Sequence, residues 1–336
     1  MITIGHSGLA SAMKLTEQTA LTKFALEVAS NELSSGMKDN LVDATAGDLG
    51  KLFAIDRTIS TLRSEADAIQ LAEGKSTLTQ TALGNIHKNL ADFGPQLLSA
   101  VERGDEHSSR LIASDARYAL GAVVASLNVR YGRHSVFAGA ALDRQAIAPA
   151  EVIISDISAV VAGAADSTAA LAAIDDYFYS PTGGFETSVF LGAALDSPPF
   201  RNQNGELIEY AQRADSFELR KAIRALTVAA VASDAPNFVG TPDQLDLLRE
   251  AGSSAIDAAG GIVTLRETLG FAEGRIEIAE ARNRSMSGVF ELERSSIISA
   301  DPYEAATKFE ALQVQLQTIY TITARLSNLS LTNFLR

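Results

Sequence analysis

The feature that most constrains this chain is an apolar rhythm, at alternating spacings of four and three residues, that persists over very long segments. Apolar residues spaced in this way line one face of a helix, and their persistence is typical of coiled coils. In residues 49–103 the rhythm is carried by Ile55, Ile59, Leu62, Ala66 and Ile69 and, after a softer patch around Gly74, by Leu83, Ile86, Leu90, Phe93, Leu97 and Ala100. The pattern predicts one long helix, which Pro95 should bend or interrupt, followed by a second helix that returns antiparallel over 108–131.

Two further segments carry the same kind of pattern. Residues 244–299 predict a very long helix with the seam Leu265, Leu269, Ala272, Ile276, Ala279, Asn283, Met286 and Phe290. A polar residue in such a seam can fix the register of packed helices, and this is the role predicted for Asn283. Residues 7–34 predict a helix with the stripe Leu21, Phe24 and Val28, widened by Leu26, Ala29 and Leu33.

The C-terminal stretch, residues 301–336, reads as one helix. Asp301 is a suitable N-cap, and Pro302 fits the first helical position, where a missing N–H costs nothing. The seam of this helix is Phe309, Leu312, Leu316, Ile319, Thr323 and Leu326, whereas its other face carries Gln313, Gln315, Gln317, Thr321 and Asn328. An apolar stripe beside an uncharged amide face predicts a helix that packs on partners along its length.

Between the two helical regions the composition and the apolar pattern change. Residues 132–215 contain four prolines and the strand-like runs 134–138, 187–191 and 206–211, with a turn at Asn204-Gly205. The predicted fold is therefore mainly α, a coiled-coil-like bundle of long antiparallel hairpins formed by both chain ends with a small mixed α/β domain inserted. The predicted domains are 1–40 with 300–336, 41–131 with 216–299, and 132–215.

Composition excludes several classes of protein. A net charge of −13 without a basic stripe argues against nucleic-acid binding, and the absence of cysteine excludes disulfides and thiolate metal sites. No apolar run is long enough to span a bilayer, so no membrane partner is expected. The N-terminus lacks the basic start and apolar core of a cleaved secretory signal, so export, if it occurs, must follow another route.

The sequence predicts neither an enzyme nor a metal or cofactor site. Two S-x-x-K matches, at Ser11 and Ser35, lack the companion motifs of serine acylases, the four histidines are dispersed, and no phosphate-binding glycine loop is present. Arg220 and Arg224, with Glu218 nearby, are predicted to form ordinary surface ion pairs.

Three blocks of sequence resemble the flagellin superfamily and, within it, the hook–filament junction proteins. The block NELSSGMKDNLVDATAGDLGKLFAIDRTI (31–59) resembles the family's passage between its first helix and its long helix, although Met37–Asp39 replaces the commoner pattern. The block NVRYGRHSVFAGAALDRQAIAP (128–149) resembles the passage that opens the middle domain of junction proteins, with motif residues Gly132, Arg133, Val136, Phe137 and Gly139. The ending ARLSNLSLTNFL (324–335) is similar to that of junction proteins.

The resemblance implies an extracellular structural subunit of the bacterial flagellum, exported without a cleaved signal and assembled through its terminal helices. The implied partners are further copies of the chain in a ring or helical array, a neighbouring hook-associated junction protein, flagellin, and an export chaperone. The residues predicted to form the assembly interface are Leu21, Phe24, Val28, Leu33, Leu316, Ile319, Leu326, Leu329 and Phe334.

Two alternatives remain open at this stage. The chain could be a filament-forming flagellin of the same superfamily, or a secreted binding protein that acts through its middle domain. Each predicted interface residue could also simply pack in the core of its own subunit.

Overall fold

The computed structural model describes residues 5–45, 47–202 and 204–334; for residues 5–12 and 326–334 the description covers the backbone and not the side chains. The chain divides into two compact units. The terminal unit comprises Met1–Arg63 and Arg284–Arg336, and the central unit comprises Ser64–Asn283. The finer, three-part division stays a prediction.

The described residues are mainly helical, as predicted. The helices are α1 (Gly5–Ser35), α2 (Leu41–Ala44), α3 (Gly50–Glu102), α4 (Glu106–Leu127), α5 (Ala150–Val161), α6 (Ser167–Tyr179), α7 (Phe217–Asp234), α8 (Pro242–Ile298) and α9 (Pro302–Phe334). The strands are β1 (Arg130–Tyr131), β2 (His134–Ser135), β3 (Phe200–Arg201) and β4 (Leu207–Ile208). Both α3 and α8 contribute residues to both units. Helix α3 continues through Pro95, so the predicted interruption is absent.

The core of the central unit surrounds α7. Almost every residue from Leu219 to Ala232 is buried, because other helices pack on several sides of this helix. Helix α4 packs along it, and α5 and α6 also contact it. The predicted α3 seam from Leu83 to Ala100 is buried as expected.

Within the central unit, α3 and α8 lie antiparallel. The Gln80 side chain donates a hydrogen bond to the Arg266 carbonyl at 2.8 Å, and the Ser76 hydroxyl donates one to Glu273 at 2.8 Å. Further along, a Cβ added to Gly94 would lie 3.0 Å from the Gly252 carbonyl oxygen. Small residues at this crossing therefore let the two backbones approach closely.

The softer patch in the α3 rhythm has a packing explanation. A Cβ added to Gly74 would lie 2.4 Å from the Tyr131 hydroxyl, so the glycine makes room for the aromatic side chain of β1. The absence of a large apolar side chain at position 74 therefore leaves room for the β1–β2 hairpin.

One predicted seam residue of α3 is wrong. Ala66 is exposed, and the neighbouring Glu65 turns towards α8 instead. There the Asn283 side chain, which is buried as its seam position predicts, donates a hydrogen bond of 2.7 Å to Glu65. A polar pair replaces an apolar contact because Asn283 needs an acceptor once it is buried.

The strands of the middle region are shorter than predicted. The run 134–138 forms strand only over β2, which pairs antiparallel with β1, and the run 206–211 forms strand only over β4, which pairs with β3. The run 187–191 is not a strand: a π-helical turn occupies Phe185–Val189, followed by a single bridge between Ile147 and Phe190. The predicted turn at Asn204-Gly205 is confirmed by the positive φ of Gly205, 79°.

The prediction of ordinary surface ion pairs at Arg224 is also wrong. Arg224 is only 5% exposed, and its guanidinium donates to Asp175 at 2.5 Å, to Glu250 at 3.2 Å and to the Ser254 hydroxyl at 3.1 Å. These partners lie on α6 and α8, so one buried cation links three helices. Arg220 similarly joins α7 to Glu186 at 2.7 Å and to the Phe178 carbonyl at 3.2 Å.

Candidate assembly interface

Helices α1 and α9 pack against each other within the terminal unit. They run antiparallel, because the C-terminal end of α1 is tied to the start of α9 by the chain segments beside them. The Ala300 N–H donates to the Gly36 carbonyl at 3.0 Å, and the Lys38 N–H donates to the Ile298 carbonyl at 2.8 Å. Gly36 ends α1 with a φ of 70°, a left-handed conformation that glycine adopts readily.

The two helices contribute unequal side chains to their shared seam. On α9 the least exposed residues are Ala305, Phe309, Leu312, Leu316 and Ile319, which follow the predicted rhythm. On α1 they are Leu15, Thr19, Thr22, Leu26 and Ala29, also at spacings of four and three. Leucine, threonine and alanine side chains of α1 therefore face mainly large apolar residues of α9.

Other large apolar side chains of α1 lie on the opposite side of the helix. Leu21 is 62% exposed, Phe24 is 67% exposed and Met13 is equally open, while Val28 is half-buried. With about 100° of rotation per residue, these four share one face, and that face is turned away from the Thr22–Ala29 seam. We call Met13, Leu21, Phe24 and Val28 the outer stripe.

The outer face of α9 is mostly polar. Gln313, Gln315, Gln317 and Thr321 are exposed as predicted, and Val314 is an apolar residue among them. Tyr320 lies at the margin of this face, where the ammonium of Lys23 sits 5.7 Å from its ring centroid. A cation over an aromatic ring adds a weak attraction that helps to align the two helices.

The predicted interface residues therefore fall into different places. Leu21 and Phe24 belong to the exposed outer stripe, and Leu33 is exposed near the end of α1. Leu316 and Ile319 belong to the intramolecular seam. Three further predicted residues lie outside the described side chains: Leu326, Leu329 and Phe334.

Sequence reasoning missed the apolar residues that are exposed elsewhere in the terminal unit. They are Phe53 on α3, Val289 and Leu292 on α8, and Tyr303 and Ile322 on α9. None of them falls on the predicted seams, which were chosen by regular spacing. Only the folded structure shows that they are left uncovered.

The motif in residues 128–149 forms a structural core in the central unit. Gly132, with a φ of 60°, and Arg133 make the two-residue loop between β1 and β2, and Val136 and Phe137 are buried behind it. The exposed Arg133 takes part through its backbone, because its carbonyl accepts a hydrogen bond from Arg130 at 2.5 Å.

A close approach between two backbone segments requires glycine at position 139. Its φ is 60°, and an added Cβ would lie 2.4 Å from the Leu195 carbonyl oxygen and 2.7 Å from the Ala193 carbonyl oxygen. Neighbouring hydrogen bonds, from Ala140 to Leu195 and from Ala193 to Ala138, each 2.9 Å, hold the two segments together. The motif glycine therefore serves the fold of this region.

Asn128 is a second structural residue that the motif did not single out. Its side-chain oxygen accepts hydrogen bonds from the N–H groups of Ala146 (2.9 Å) and Ile147 (3.0 Å), and its amide donates to the Ile147 carbonyl at 2.9 Å. One side chain thus satisfies three backbone groups of the loop that leads into α5.

The terminal unit also contains a groove of about 580 Å³ between α3 and α8. Its charged residues are paired across the groove, Arg294 with Asp56 at 2.6 Å and Arg63 with Glu291 at 3.8 Å, and Ile59 and Ile298 lie beneath them. Among the described side chains no cluster of three or more His, Asp or Glu residues could hold a metal ion. No described helix is long and apolar enough to cross a membrane.

Comparison with known proteins identifies the terminal region. Residues 254–335 match the family model described as the bacterial flagellin C-terminal helical region. No curated protein matches the chain in sequence. The residues matched include all of α9 and the C-terminal part of α8, so the α9 side of the seam and the polar outer face of α9 lie within the flagellin-like region.

Two solved structures are similar to the chain. FlgL of Bacillus cereus is 14% identical with a TM-score of 0.44, and the match covers 71% of this chain and 99% of that chain. A protein described as a flagellar hook-associated protein from Vibrio parahaemolyticus is 12% identical with a TM-score of 0.40, covering 71% of this chain and 95% of that chain. Because both TM-scores are low, the assignment rests on the family model.

The matched residues include the C-terminal block, 324–335, and bear out its resemblance to flagellin. The family is one of structural flagellar components, which agrees with a surface whose main feature is uncovered apolar side chains on long helices. Residues 254–335 of this chain are therefore similar to the C-terminal helical region of bacterial flagellin.

Proposed function

We propose that this protein is the structural subunit that joins hook-side junction proteins to the flagellin filament, and that it assembles through its terminal helices. The observation that carries the proposal is the outer stripe of α1. A helix that already packs on α9 through one face exposes further large apolar side chains on the other, and such a stripe marks a contact with another chain.

The seam and the outer stripe have different roles in the terminal unit. The seam, from Thr22 and Ala29 to Leu316 and Ile319, holds α1 and α9 together in one subunit. The outer stripe, with Leu21 and Phe24, then meets a neighbouring chain. Because the stripe on one subunit and the surface it meets on the next are different, such contacts do not close and can build a ring or helical array.

Export of the subunit agrees with these separate roles of the seam and the outer stripe. Before α1 and α9 pair, the seam residues of α9 have no partner, and most of the stability of a helix in a protein comes from packing of its apolar face. The terminal segments would therefore order on assembly, and an export chaperone would cover α9 beforehand. The subunit would leave the cell through the flagellar export apparatus without a cleaved signal and be located at the hook–filament junction.

The passage at residues 128–149 favours the junction role over that of a filament flagellin, because ordinary flagellins usually lack it. Its residues build the β1–β2 hairpin and the tight approach at Gly139, so they shape the middle region of this subunit. The alternative remains a filament-forming flagellin, since the matched C-terminal helices would suit either role. A secreted binding protein is less well supported, because the uncovered apolar surface described above lies on the terminal helices.

Electron microscopy of cells lacking the gene, with flagellin assayed in the culture medium, tests the proposal. Bare hooks with flagellin lost to the medium are the expected result. Bare hooks with no flagellin in the medium, in a strain whose wild-type filaments consist mainly of this protein, would establish the filament alternative. Normal flagella in the deletion strain would refute both roles.

A further inference from the structure

Every sulfur atom of this chain belongs to the terminal unit. The sequence contains no cysteine and four methionines, Met1, Met13, Met37 and Met286. All four fall in the terminal unit and none in the central unit, although the central unit is the longer of the two. Methionine sulfur is a common target of oxidants, so oxidation of sulfur in this protein acts on the unit that carries the outer stripe.

The described methionines differ in how open they are to solvent. Met13 is 66% exposed and Met37 is 51% exposed, whereas Met286 is partly buried on α8. Met1 lies outside the described residues. Because an oxidant must reach the sulfur atom, exposure sets the order of reaction, and Met13 should react before Met286.

Met13 lies in the outer stripe and takes no part in the α1–α9 seam. At about 100° of rotation per residue, Met13 and Phe24 lie within about 20° of each other around α1. The seam residues Thr22 and Ala29 are buried on the opposite side of the helix. A change at the Met13 side chain should therefore alter the outer surface of α1 and leave its pairing with α9 intact.

We propose that Met13 is a site of oxidation by peroxides, and that its sulfoxide prevents the outer stripe from contacting a neighbouring chain. A lone pair of the Met13 Sδ attacks one peroxide oxygen, so an S–O bond forms as the O–O bond breaks. The departing hydroxide takes the proton of the transferred oxygen and leaves as water. The sulfur loses two electrons, and the peroxide gains them.

The sulfoxide changes what the outer stripe can bury. Oxidation converts a flexible apolar side chain into a polar one. Burying its oxygen against apolar side chains such as Leu21 and Phe24, without a hydrogen bond, is unfavourable. The inference rests on the proposed function, because only a stripe that is covered during assembly is sensitive to this change.

The first experiment follows the reaction itself. Hydrogen peroxide is added to the purified full-length subunit, and the oxidation of each methionine is measured by peptide mass spectrometry over time. Met13 should be oxidised several times faster than Met286, and the circular dichroism of the subunit should stay unchanged. Oxidation of Met13 no faster than that of Met286 would overturn the proposal.

The second experiment measures assembly by co-sedimentation of the subunit with bare hooks isolated from the deletion strain. Losing the burial of the uncovered part of one methionine corresponds to about a tenfold loss of affinity, so the oxidised subunit should bind about tenfold more weakly. Treatment with methionine sulfoxide reductases should restore binding, which unspecific peroxide damage would not allow. Equal binding before and after oxidation would overturn the proposal.

Matched variants assign the effect to one residue. Met13→Leu keeps an apolar side chain that peroxide does not oxidise, so this variant should bind hooks equally well before and after treatment. Met37→Leu, which removes the other exposed methionine, should remain sensitive. Sensitivity that persists in Met13→Leu would refute the assignment to Met13. Failure of the untreated wild-type subunit to bind hooks would instead refute the proposed function, and with it this inference.

Discussion

Replacing Phe24 with aspartate should prevent assembly while leaving the subunit folded. Phe24 is 67% exposed in the outer stripe, so the folded subunit gains little from its burial. Aspartate at an exposed helix position costs at most about 0.7 kcal/mol in helix propensity. The α1–α9 seam uses other residues, including Thr22 and Ala29, and should remain paired.

The effect on assembly should be much larger. Burying a whole phenylalanine side chain is worth about 1.5–3 kcal/mol. Because about two-thirds of Phe24 is still uncovered, a neighbouring subunit could gain roughly 1–2 kcal/mol by covering it. Each 1.4 kcal/mol is about a tenfold change in affinity, so removing the ring alone should weaken the contact about tenfold. An unpaired carboxylate buried in its place would add several kcal/mol more.

The assay is complementation of the deletion strain, with filaments per cell counted by electron microscopy. Phe24→Asp should give bare hooks, with the variant subunit itself present in the medium. Recovery of the subunit from the medium separates failed assembly from failed export. Circular dichroism of the purified variant should match that of the purified wild-type subunit, which shows that its fold is unchanged.

The matched control is Tyr118→Asp. Tyr118 is 80% exposed on α4 of the central unit, so this change also places a charge at an open aromatic position, but away from the terminal helices. It should complement as well as the wild type does. A Phe24→Asp strain with normal filament numbers would show that the outer stripe meets no neighbour and that the reasoning about α1 is wrong.

Three further changes test the interior. Arg224→Met should lower the free energy of unfolding by about 2 kcal/mol. The loss is smaller than for a fully buried ion pair, because the Asp175 side chain is 48% exposed and can be rehydrated. Chemical denaturation measures the loss, and an unchanged midpoint would contradict the prediction. Gly139→Ala should lower the free energy of unfolding by about 2 kcal/mol more than Gly132→Ala does. Both glycines have a φ of 60°, but only Gly139 has backbone atoms in contact with an added Cβ, so equal losses would show that the backbone approach is unimportant. Burial, together with a 2.7 Å hydrogen bond to an aspartate, raises the pKa of Tyr177. Its protonated hydroxyl therefore stabilises the fold fully below the unfolded pKa of about 10 and progressively less as the pH rises above it. Tyr177→Phe should reduce this loss of stability at alkaline pH, and parallel pH profiles of unfolding free energy for the two proteins would contradict it.

The periodic seams show how far sequence reasoning reaches. The seams of α9 and of the second half of α3 follow from spacing alone, because helical geometry decides which residues share a face. Ala66 shows the limit of this rule. The partner helix carries Asn283, whose need for an acceptor draws Glu65 into the seam, and no pattern within α3 contains that information.

The outer stripe shows the same limit for the candidate interface. The sequence marks Leu21, Phe24 and Val28 as an apolar face, but an apolar face is compatible with a core or with a partner. The structure turns it outward, because the opposite face of α1, which includes Thr22, Leu26 and Ala29, packs on α9.

By itself, the sequence determined the helical class, the long seams and the likeness of the C-terminal block to flagellin, since these depend on local periodicity and on short blocks of residues. Tertiary structure decided which face of α1 is covered, why Gly139 cannot carry a side chain, and that Arg224 is a buried link to Asp175, 49 residues away. The physical reason is that burial and pairing are properties of two surfaces, and one stretch of chain encodes only one of them.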